Sequence, residues 1–460
     1  MLTLVLLLAY LAGTLAIGTA SRRRAGRDET SYFVADRSLN TFWGWIALAS
    51  LTTGGSTTIA LAAFVYTHGI SGLWLDLAGA LGLLLLGVFL AGRVRREGAV
   101  TLPEIVGRYY GPAARVTSAF LVLASEIVWF ALLTEATQVV LTAAFGLSPI
   151  KAIVGSTAVF VFYTSLGGQF AVVRTDLLQY GLMVLGIPGV LFFCALKKAH
   201  GLGGLPAEVW SFPISATLPA GGVLSLLVLF GLPHLVGSDI YGKLLSCRDE
   251  RTARRAALAA GLSKIVFGAA VASAALAVRK VLPAGPESET LPRAVLEFVP
   301  GPLASFVLVC LVATMQSSAD AVLLSAAAVT ARDLAPPLLG RPLPLGLARL
   351  LSPVYGALGL AVALAMDRNV IATLKLGYSI FAAGLILPVL WALAAQRLPI
   401  PRSGAITAMV AGGTIVVVGY VAPGLVGRAD PVLPGTAVNL AVLLAALAAG
   451  RLFGRRRLPA

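Results

Sequence analysis

Charged residues are scarce in this sequence: Asp, Glu, Lys and Arg make up 12% of its 460 residues, against about 25% in soluble domains. Hydrophobic residues make up 58%, which is more than a soluble core of this size can bury. Apolar runs of eighteen residues or more recur along the chain, and each can cross about 30 Å of hydrocarbon as a helix. The runs lack the alternation of membrane strands. The composition therefore predicts an all-α membrane protein.

Cysteine and histidine are also rare, with three residues of each. Cys194, Cys247 and Cys310 lie in or beside apolar runs at unrelated spacings, so neither a disulfide framework nor a zinc site is indicated, and we interpret them as packing thiols. The histidines are scattered. The sequence offers no nucleophile next to a base, no metal-spaced cluster and no phosphate loop, so we predict that the protein is not an enzyme.

The net charge of +15 does not indicate nucleic-acid binding, because the basic residues lie in short segments between apolar runs rather than on one face. If the chain crosses the membrane thirteen times, these segments fall on one side, which the positive-inside rule makes the cytoplasm. The predicted partners are thus membrane lipid and a small solute, and a monomer is expected. The segments are Arg22 to Arg24, Arg93 to Arg96, Arg251 to Arg255, Arg341 to Arg349 and Arg455 to Arg457.

The first apolar run has no basic residue before it and three arginines after it, the reverse of a signal peptide. We therefore predict a retained span, with the N-terminus outside, the C-terminus cytoplasmic and the protein in the cell membrane. Connections are short, so one membrane domain is expected, made of a lead-in (1–40), two repeats (41–195 and 219–395) and C-terminal spans (396–460). The predicted spans are 2–20, 42–66, 71–92, 113–144, 149–166, 170–195, 219–243, 257–280, 300–331, 345–365, 370–395, 404–421 and 434–450.

Two of these spans carry interruptions near their middle. The second contains Gly54 and Gly55 among threonines and serines, and the seventh contains Pro233 in the stretch 231–239. Glycine loosens a helix and proline removes a backbone donor, and the freed polar groups are tolerated at membrane depth only beside a cavity or within protein. The breaks are five spans apart, which is typical of two inverted five-helix repeats with a binding site at the midplane. The alternative is that the two glycines merely allow close helix packing.

Several motifs resemble the sodium:solute symporter family, which includes sodium-coupled sugar, proline, sialic acid and vitamin transporters. The resemblance extends from about Tyr32 to Leu334 and implies a LeuT-type core with spans two to six and seven to eleven as inverted repeats. Its most specific block is Tyr163-Thr164-Ser165-Leu166-Gly167-Gly168 followed by Thr175-Asp176-Leu177-Leu178-Gln179. The other motifs are Tyr32 to Leu39, Thr101 to Glu104, Arg108 to Gly111, Asp249-Glu250 with Ala253 to Arg255, and Ser317-Ser318 with Asp333-Leu334.

The resemblance implies a principal sodium site made of carbonyl and hydroxyl oxygens. Sodium prefers hard oxygen ligands, and unwound helices supply them without fixed charge. The second span would provide the carbonyls of Ser50 and Thr53. The ninth would provide the Thr314 carbonyl with the hydroxyls of Ser317 and Ser318. Without the family pattern, two helical serines would instead be interpreted as bonding back to the preceding turn.

Asp176 and Asp320 are carboxylates inside predicted spans, where a charge costs about 2.5 to 3.5 kcal/mol even on the lenient insertion scale. Some family members have a second sodium site built from the aspartate that matches Asp176 and from serines in the ninth span. Here Asp320 and Ala321 stand in place of those serines. Two facing carboxylates either hold a cation or share a proton, so the second site is predicted to bind sodium or a proton. Asp176 alone has a simpler interpretation, reaching water near the end of its span.

Solute contacts are expected from the broken spans and their neighbours. Glu126 needs a partner at mid-span, and His234 is predicted to donate to the solute unless it is a packing residue. Asp239 and Lys243 are four apart, predicted to pair with each other at an inner gate. Many relatives carry arginine at the Lys243 position, and Ser238 replaces a proline that several have. The predicted solute residues are Thr57, Glu126, Trp129, Pro233, His234 and Tyr378.

The leading hypothesis is a sodium-coupled symporter that works by alternating access on a small polar or anionic solute, such as an amino acid or a monocarboxylate. Coupling to protons is one alternative. Another is a membrane sensor of the same fold, which is disfavoured because only Leu-Pro-Ala follows Arg457 and no fused output domain is expected. Sodium is the one cofactor predicted.

Overall fold

The computed structural model describes the backbone of residues 1–25, 29–341, 343–366, 370–394, 400–422, 425 and 430–454. Within these ranges the chain is helical, and Leu39 and Cys247 form one isolated parallel bridge. The all-α prediction is confirmed. Among the predicted topology signals, the side chains of Arg22 to Arg24 and all of Arg455 to Arg457 lie outside the described residues.

Eleven of the described helices are long and apolar enough to cross a membrane, so the count of thirteen spans is not confirmed. The second predicted span is missing as a unit because its helix is broken, and its second half joins the third span in the run Thr57–Glu97. The fifth predicted span is not among the eleven either: its described apolar segment is Pro149–Phe162, inside a helix that continues to Val184. Both differences lie in the predicted first repeat, 41–195.

The longer helices are numbered here in chain order. Several contain a π-helical turn that does not end the helix, as in α7, where the turn Leu227–Gly231 precedes Pro233. The helices are α1 (Leu2–Ala25), α2 (Thr41–Thr53), α3 (Ser56–His68), α4 (74–97), α5 (Pro112–Phe145), α6 (149–198), α7 (220–236), α8 (Ser238–Leu245), α9 (Glu250–Val281), α10 (Gly301–Leu339), α11 (Leu351–Ala365), α12 (370–394), α13 (Arg402–Val421) and α14 (Val432–Gly454).

The first break separates α2 from α3 at Gly54 and Gly55, as predicted. Gly54 is extended and Gly55 has a φ of +67°, a left-handed conformation that glycine adopts without strain. A Cβ on Gly55 would lie 2.8 Å from the Ser318 Oγ of α10. The glycines therefore break the helix and also let α10 approach closely. The two interpretations of these glycines, a helix break and close packing, both apply.

The second break separates α7 from α8 at Gly237, where φ is −58° and ψ is 136°. Pro233 lies before this break and inside the helix, in the turn that follows the π-helical one. A wider turn accommodates the proline without ending the helix. The interruption within 231–239 is confirmed, but the chain unwinds at the glycine rather than at the proline.

Helix α10 forms the centre of the bundle, and its apolar membrane window is entirely buried. It packs against α1, α5 and α6. At the end of the bundle that carries the basic loops, Arg115 pairs with Asp333 at 2.6 Å. There the Asp249 side chain accepts the Thr252 N–H at 2.7 Å and starts α9, and this bond lowers the pKa of Asp249. The ligands predicted on α10 thus lie on a helix held on several sides.

Candidate ion and solute sites

The five residues predicted to bind sodium lie together where the first break meets α10. Ser317 Oγ donates to the carbonyls of Ser50 at 3.3 Å and Thr314 at 3.0 Å. Ser318 Oγ donates to the Leu51 carbonyl at 3.2 Å. The Thr53 carbonyl, at the last residue before the break, accepts the Thr58 hydroxyl at 3.1 Å. We call the carbonyls of residues 50, 51, 53 and 314 with the hydroxyls of 317 and 318 the oxygen cluster.

The chemistry and the space of the oxygen cluster fit a small hard cation. Each serine hydroxyl donates its proton to a carbonyl, which leaves lone pairs free for an ion. A Cβ on Gly54 would lie 2.9 Å from the Ser50 carbonyl and 3.0 Å from that of Thr314. A side chain at this position would therefore fill the space between the two oxygens, which glycine leaves open. Among the described residues, no group of three His, Cys, Asp or Glu side chains could hold a metal ion. Sodium does not require such a group, because carbonyl and hydroxyl oxygens can bind it.

The second predicted ion site contains a lysine that the sequence interpretation had placed elsewhere. Lys243 Nζ donates to Asp176 Oδ2 at 2.8 Å, and both side chains are buried. The predicted pairing of Lys243 with Asp239 is therefore wrong. The i, i+4 spacing is real, but Lys243 turns towards α6, where it is the only cation paired with the buried Asp176 among the described residues. Asp239 Oδ1 instead accepts the Ile240 N–H at 2.8 Å, at the start of α8.

Asp320 completes this second site, three residues after Ser317 on α10. Its Oδ1 accepts the Thr164 hydroxyl at 2.6 Å. The side chains of Asp320, Asp176 and Lys243 are close enough to influence one another's charge. We call these three residues the carboxylate cluster. The two predicted carboxylates are thus neighbours, as expected, but the structure adds an ammonium to them.

A central cavity lies beside the two breaks and carries most of the predicted solute residues. It consists of two adjoining spaces, both lined by Thr57, Trp129 and Tyr378. Pro233 and His234 line the second space. The Trp129 and Tyr378 rings lie 5.0 Å apart. Trp129 Nε1 is buried with no hydrogen-bond partner among the described residues, so the indole N–H remains available to a ligand.

Two predicted solute residues behave differently from expectation. His234 Nδ1 lies 2.8 Å from the Phe230 carbonyl and must donate to it. A neutral imidazole has a single N–H, so the remaining nitrogen, Nε2, is an acceptor and His234 has no donor to offer the solute. Glu126 lies outside the lining of the central cavity, and its Oε1 accepts the Ser325 hydroxyl at 2.6 Å.

Asp239 lines the central cavity and also a third space beside the inner loops. Lys243, Ser238 and Ser325 line that third space as well. The side chain of Asp239 therefore separates the solute region from the route to the other end of the bundle. This position agrees with a gate, which stays a prediction.

Sequence reasoning missed a buried ion pair beside the central cavity. Lys264 Nζ of α9 lies 2.5 Å from Asp76 Oδ1 of α4 and 2.5 Å from the Thr52 carbonyl, next to the first break. Thr52 lines the central cavity. Both charges interrupt apolar runs, so the rule that intramembrane ionisable residues indicate function would have found them.

The profile of the sodium:solute symporter family matches residues 32–412 of the chain. The chain belongs to this family. The structure resembles a Na⁺-coupled sialic acid symporter in its substrate-bound outward-open state, with a TM-score of 0.83, 18% identity and 98% of both chains covered. It also resembles Mhp1, a nucleobase-cation-symport-1 family transporter in a closed conformation, with a TM-score of 0.62, 15% identity and coverage of 93% and 96%. These likenesses confirm the LeuT-type fold.

Curated relatives carry several different solute names. The sodium/proline symporter of Salmonella typhimurium is 24% identical over 90% of this chain and 87% of its own length. High-affinity choline transporter 1 of Caenorhabditis elegans is 24% identical over 53% of this chain. The chain spans only 42% of that transporter and 30% of its Drosophila melanogaster counterpart.

Proposed function

We propose that the protein is a sodium-coupled symporter of a small organic solute, working by alternating access, and that its solute carries an ammonium group, as an amino acid does. The observation that carries the sodium assignment is the oxygen cluster. Its oxygens come from both repeats, because α2 belongs to the first and α10 to the second. A cation held there joins the two halves whose relative movement opens one side or the other.

The solute class follows from the charges and rings around the central cavity. Trp129 and Tyr378 present aromatic faces, and Asp239 presents a carboxylate. Aromatic rings with an acidic group are the surroundings that bind ammonium ions. Lys264, which bonds to the lining residue Thr52, already pairs with Asp76. Among the described residues that line the central cavity, a monocarboxylate would thus meet the charge of Asp239 and no cation, whereas an amino acid can place its ammonium near Asp239 and its carboxylate near the Trp129 N–H.

Two relatives have names that agree with this class, since one is called a sodium/proline symporter and another a choline transporter. Proline and choline both bear a positively charged nitrogen. The family also contains proteins named for myo-inositol, which is uncharged, so membership alone does not select the solute. The cavity chemistry makes the selection.

The proposal is tested by thermal unfolding of the detergent-purified protein with a panel of amino acids, quaternary amines, polyols and monocarboxylates. Each solute is measured in sodium chloride and in potassium chloride, because choline itself belongs to the proposed solute class. A ligand that binds only the folded protein raises Tm by mass action. We expect an ammonium-bearing solute to raise Tm in sodium only, and sodium to bind more tightly with solute by the same factor.

The double variant Ser317→Ala with Ser318→Ala removes both side-chain ligands of the oxygen cluster. We expect the sodium concentration needed for half of the Tm shift to rise at least about tenfold, since a lost ligand worth about 1.4 kcal/mol weakens binding by that factor. Ser273→Ala is the matched control, because Ser273 also bonds back to its own helix, with Ala269, away from both sites. Unchanged sodium dependence in the double variant would rule out the oxygen cluster.

A further inference from the structure

Glu126 is a carboxyl in the middle of α5 that neither the oxygen cluster nor the central cavity uses. Its side chain is buried, and it does not line the central cavity. Its Oε1 accepts the Ser325 hydroxyl at 2.6 Å, whereas its Oε2 is buried without a hydrogen-bond partner among the described residues. An ionised carboxylate with a bare oxygen is costly at membrane depth. Glu126 therefore requires a positive charge.

No basic side chain of the described residues supplies that charge. The charged group that acts on Glu126 is Asp239 of α8, which is itself an acid. Helices α3, α6, α10, α11, α12 and α13 pack against α5. Among them α10 presents Ser325, and α12 presents Tyr378, which is a neutral phenol. The other titratable groups with printed partners on α10, α11 and α12 are Asp320 with Thr164, Asp333 with Arg115, Tyr355 with Thr330 and Lys375 with Asp430.

A chain of hydroxyls joins Glu126 to the third space. Ser325 Oγ, which bonds to Glu126, lies 3.1 Å from Ser238 Oγ of α8, and either hydroxyl can be the donor. Both serines line the third space. Gln169 lines it too, and its Nε2 is buried without a partner among the described residues. A space with such polar groups suits water. The chain thus runs from a buried carboxyl to a polar space beside the inner loops.

This chain can point in two directions, because a hydroxyl donates one hydrogen and accepts others. With Glu126 ionised, Ser238 donates to Ser325, and Ser325 donates to Glu126 Oε1. With a proton on Oε1 both bonds reverse, and Ser238 donates to the third space. In passing from the first state to the second, each hydroxyl gains one proton and gives up another. The net change is one proton taken from the space and bound by Glu126.

We propose that Glu126 is a proton-binding site that exchanges with the third space through the hydroxyls of Ser325 and Ser238. The bound proton makes the carboxyl neutral and so removes the cost of its burial. The site is separate from the oxygen cluster, because Ser325 follows Ser318 by about two helical turns on α10. It is tested without sodium and without solute, so its failure and the failure of the sodium assignment are distinct results.

Infrared difference spectroscopy of the purified protein in potassium chloride tests the bound proton. A protonated carboxyl has a C=O stretch above the amide band, whereas a carboxylate absorbs below it. Glu126→Gln is expected to lose one protonated carboxyl band at neutral pH. Glu250→Gln is the matched control, because Glu250 is exposed and pairs with Arg96 at 2.7 Å, so it should lose a carboxylate band. Loss of a carboxylate band in Glu126→Gln would overturn the proposal.

The route of the proton is tested by transferring the protein into heavy water and following the shift of the Glu126 band. Ser238→Ala interrupts the chain at its outer member. We expect it to slow the exchange by about tenfold, the factor that the loss of one hydrogen bond accounts for. Ser273→Ala is the control, because Ser273 bonds back to Ala269 of its own helix. Exchange in Ser238→Ala that is as fast as in wild type would exclude this route.

The pH dependence of Tm gives an independent measurement of the same proton. If the folded protein holds a proton that the unfolded chain releases, stability falls as pH rises. Wild type should therefore lose Tm between about pH 5 and about pH 8 more steeply than Glu126→Gln, whose carboxamide imitates the neutral carboxyl. Glu250→Gln should not flatten the slope in this way. Equal slopes in wild type and Glu126→Gln would show that Glu126 is ionised in the folded protein.

Discussion

The oxygen cluster and the carboxylate cluster lie within one turn of each other on α10, yet they hold positive charge in opposite ways. The oxygen cluster contains only carbonyls and hydroxyls, all neutral. The carboxylate cluster contains two acids and one ammonium, all buried. The first has a charge only when an ion arrives from solution. The second already contains its cation.

This difference has a physical consequence for the empty carrier. A neutral site can release its ion and move without leaving a buried charge, because its hydroxyls still hydrogen-bond to its carbonyls. A site of bare carboxylates cannot, since unpaired buried charge is strongly destabilising. Lys243 removes that cost at Asp176. We infer that sodium coupling rests on the oxygen cluster.

The largest expected effect comes from breaking the carboxylate cluster with Lys243→Met. Removing one partner of a buried ion pair costs about 3–5 kcal/mol, so Tm should fall sharply in potassium chloride. Asp176 and Asp320 would then face each other without an ammonium, as in a sodium site with fixed charge. Sodium should therefore restore part of the lost Tm, and the Hill coefficient of the sodium-dependent Tm shift should rise above that of wild type.

The double variant Lys243→Met with Asp176→Asn is the control for this change. It removes both charges, so it should recover most of the stability that the single variant loses, and it should lose the extra sodium response. A sodium-dependent rise in Tm that is no larger in Lys243→Met than in wild type would show that Lys243 does not occupy a cation position. In that case the pair would be structural only.

A smaller effect is expected in the oxygen cluster from Gly54→Ala. The added Cβ would lie within 3.0 Å of the carbonyls of Ser50 and Thr314, so those oxygens must move apart. We expect sodium affinity to fall about tenfold, which corresponds to about 1.4 kcal/mol, and the Tm of the sodium-free protein to fall as well, because backbone carbonyls rather than a flexible side chain have to move. Gly155→Ala is the matched control, because nothing lies within 4 Å of its added Cβ. Equal sodium affinities in the two variants would contradict the assignment.

Much of the fold was predictable because it depends on apolar length and on glycine. Ten of the eleven membrane-length helices match one predicted span each, and Thr57–Glu97 contains the third together with half of the second. What escaped prediction was the position of the unwinding in the second broken span. A π-helical turn accommodates Pro233, and sequence periodicity does not distinguish a widened turn from a broken one.

The contacts at the site also divide into those that the sequence predicts and those that it does not. The ligands of the oxygen cluster were predictable because they are fixed by the break and by a serine pair, and both appear in the sequence. The partner of Lys243 was not, because Asp239 is its neighbour in sequence while Asp176 is its neighbour in space. Asp76 and Lys264 were overlooked although each is an isolated charge in an apolar run. Long-range pairing between helices decides these contacts, and local spacing carries no information about it.

The smallest expected effect concerns an ion pair outside both clusters and provides the baseline for them. Arg96 and Glu250 lie 2.7 Å apart, as close as Lys243 and Asp176, but their side chains are 68% and 38% exposed. Water and salt screen such a pair, so Glu250→Gln should change Tm by less than about 1 °C. The measurement is made at low and at high potassium chloride, where any small difference should disappear with salt. A loss of Tm as large as that of Lys243→Met would mean that burial does not explain the difference between the exposed pair and the buried pair. The stability of the carboxylate cluster could then not be attributed to the burial of its charges.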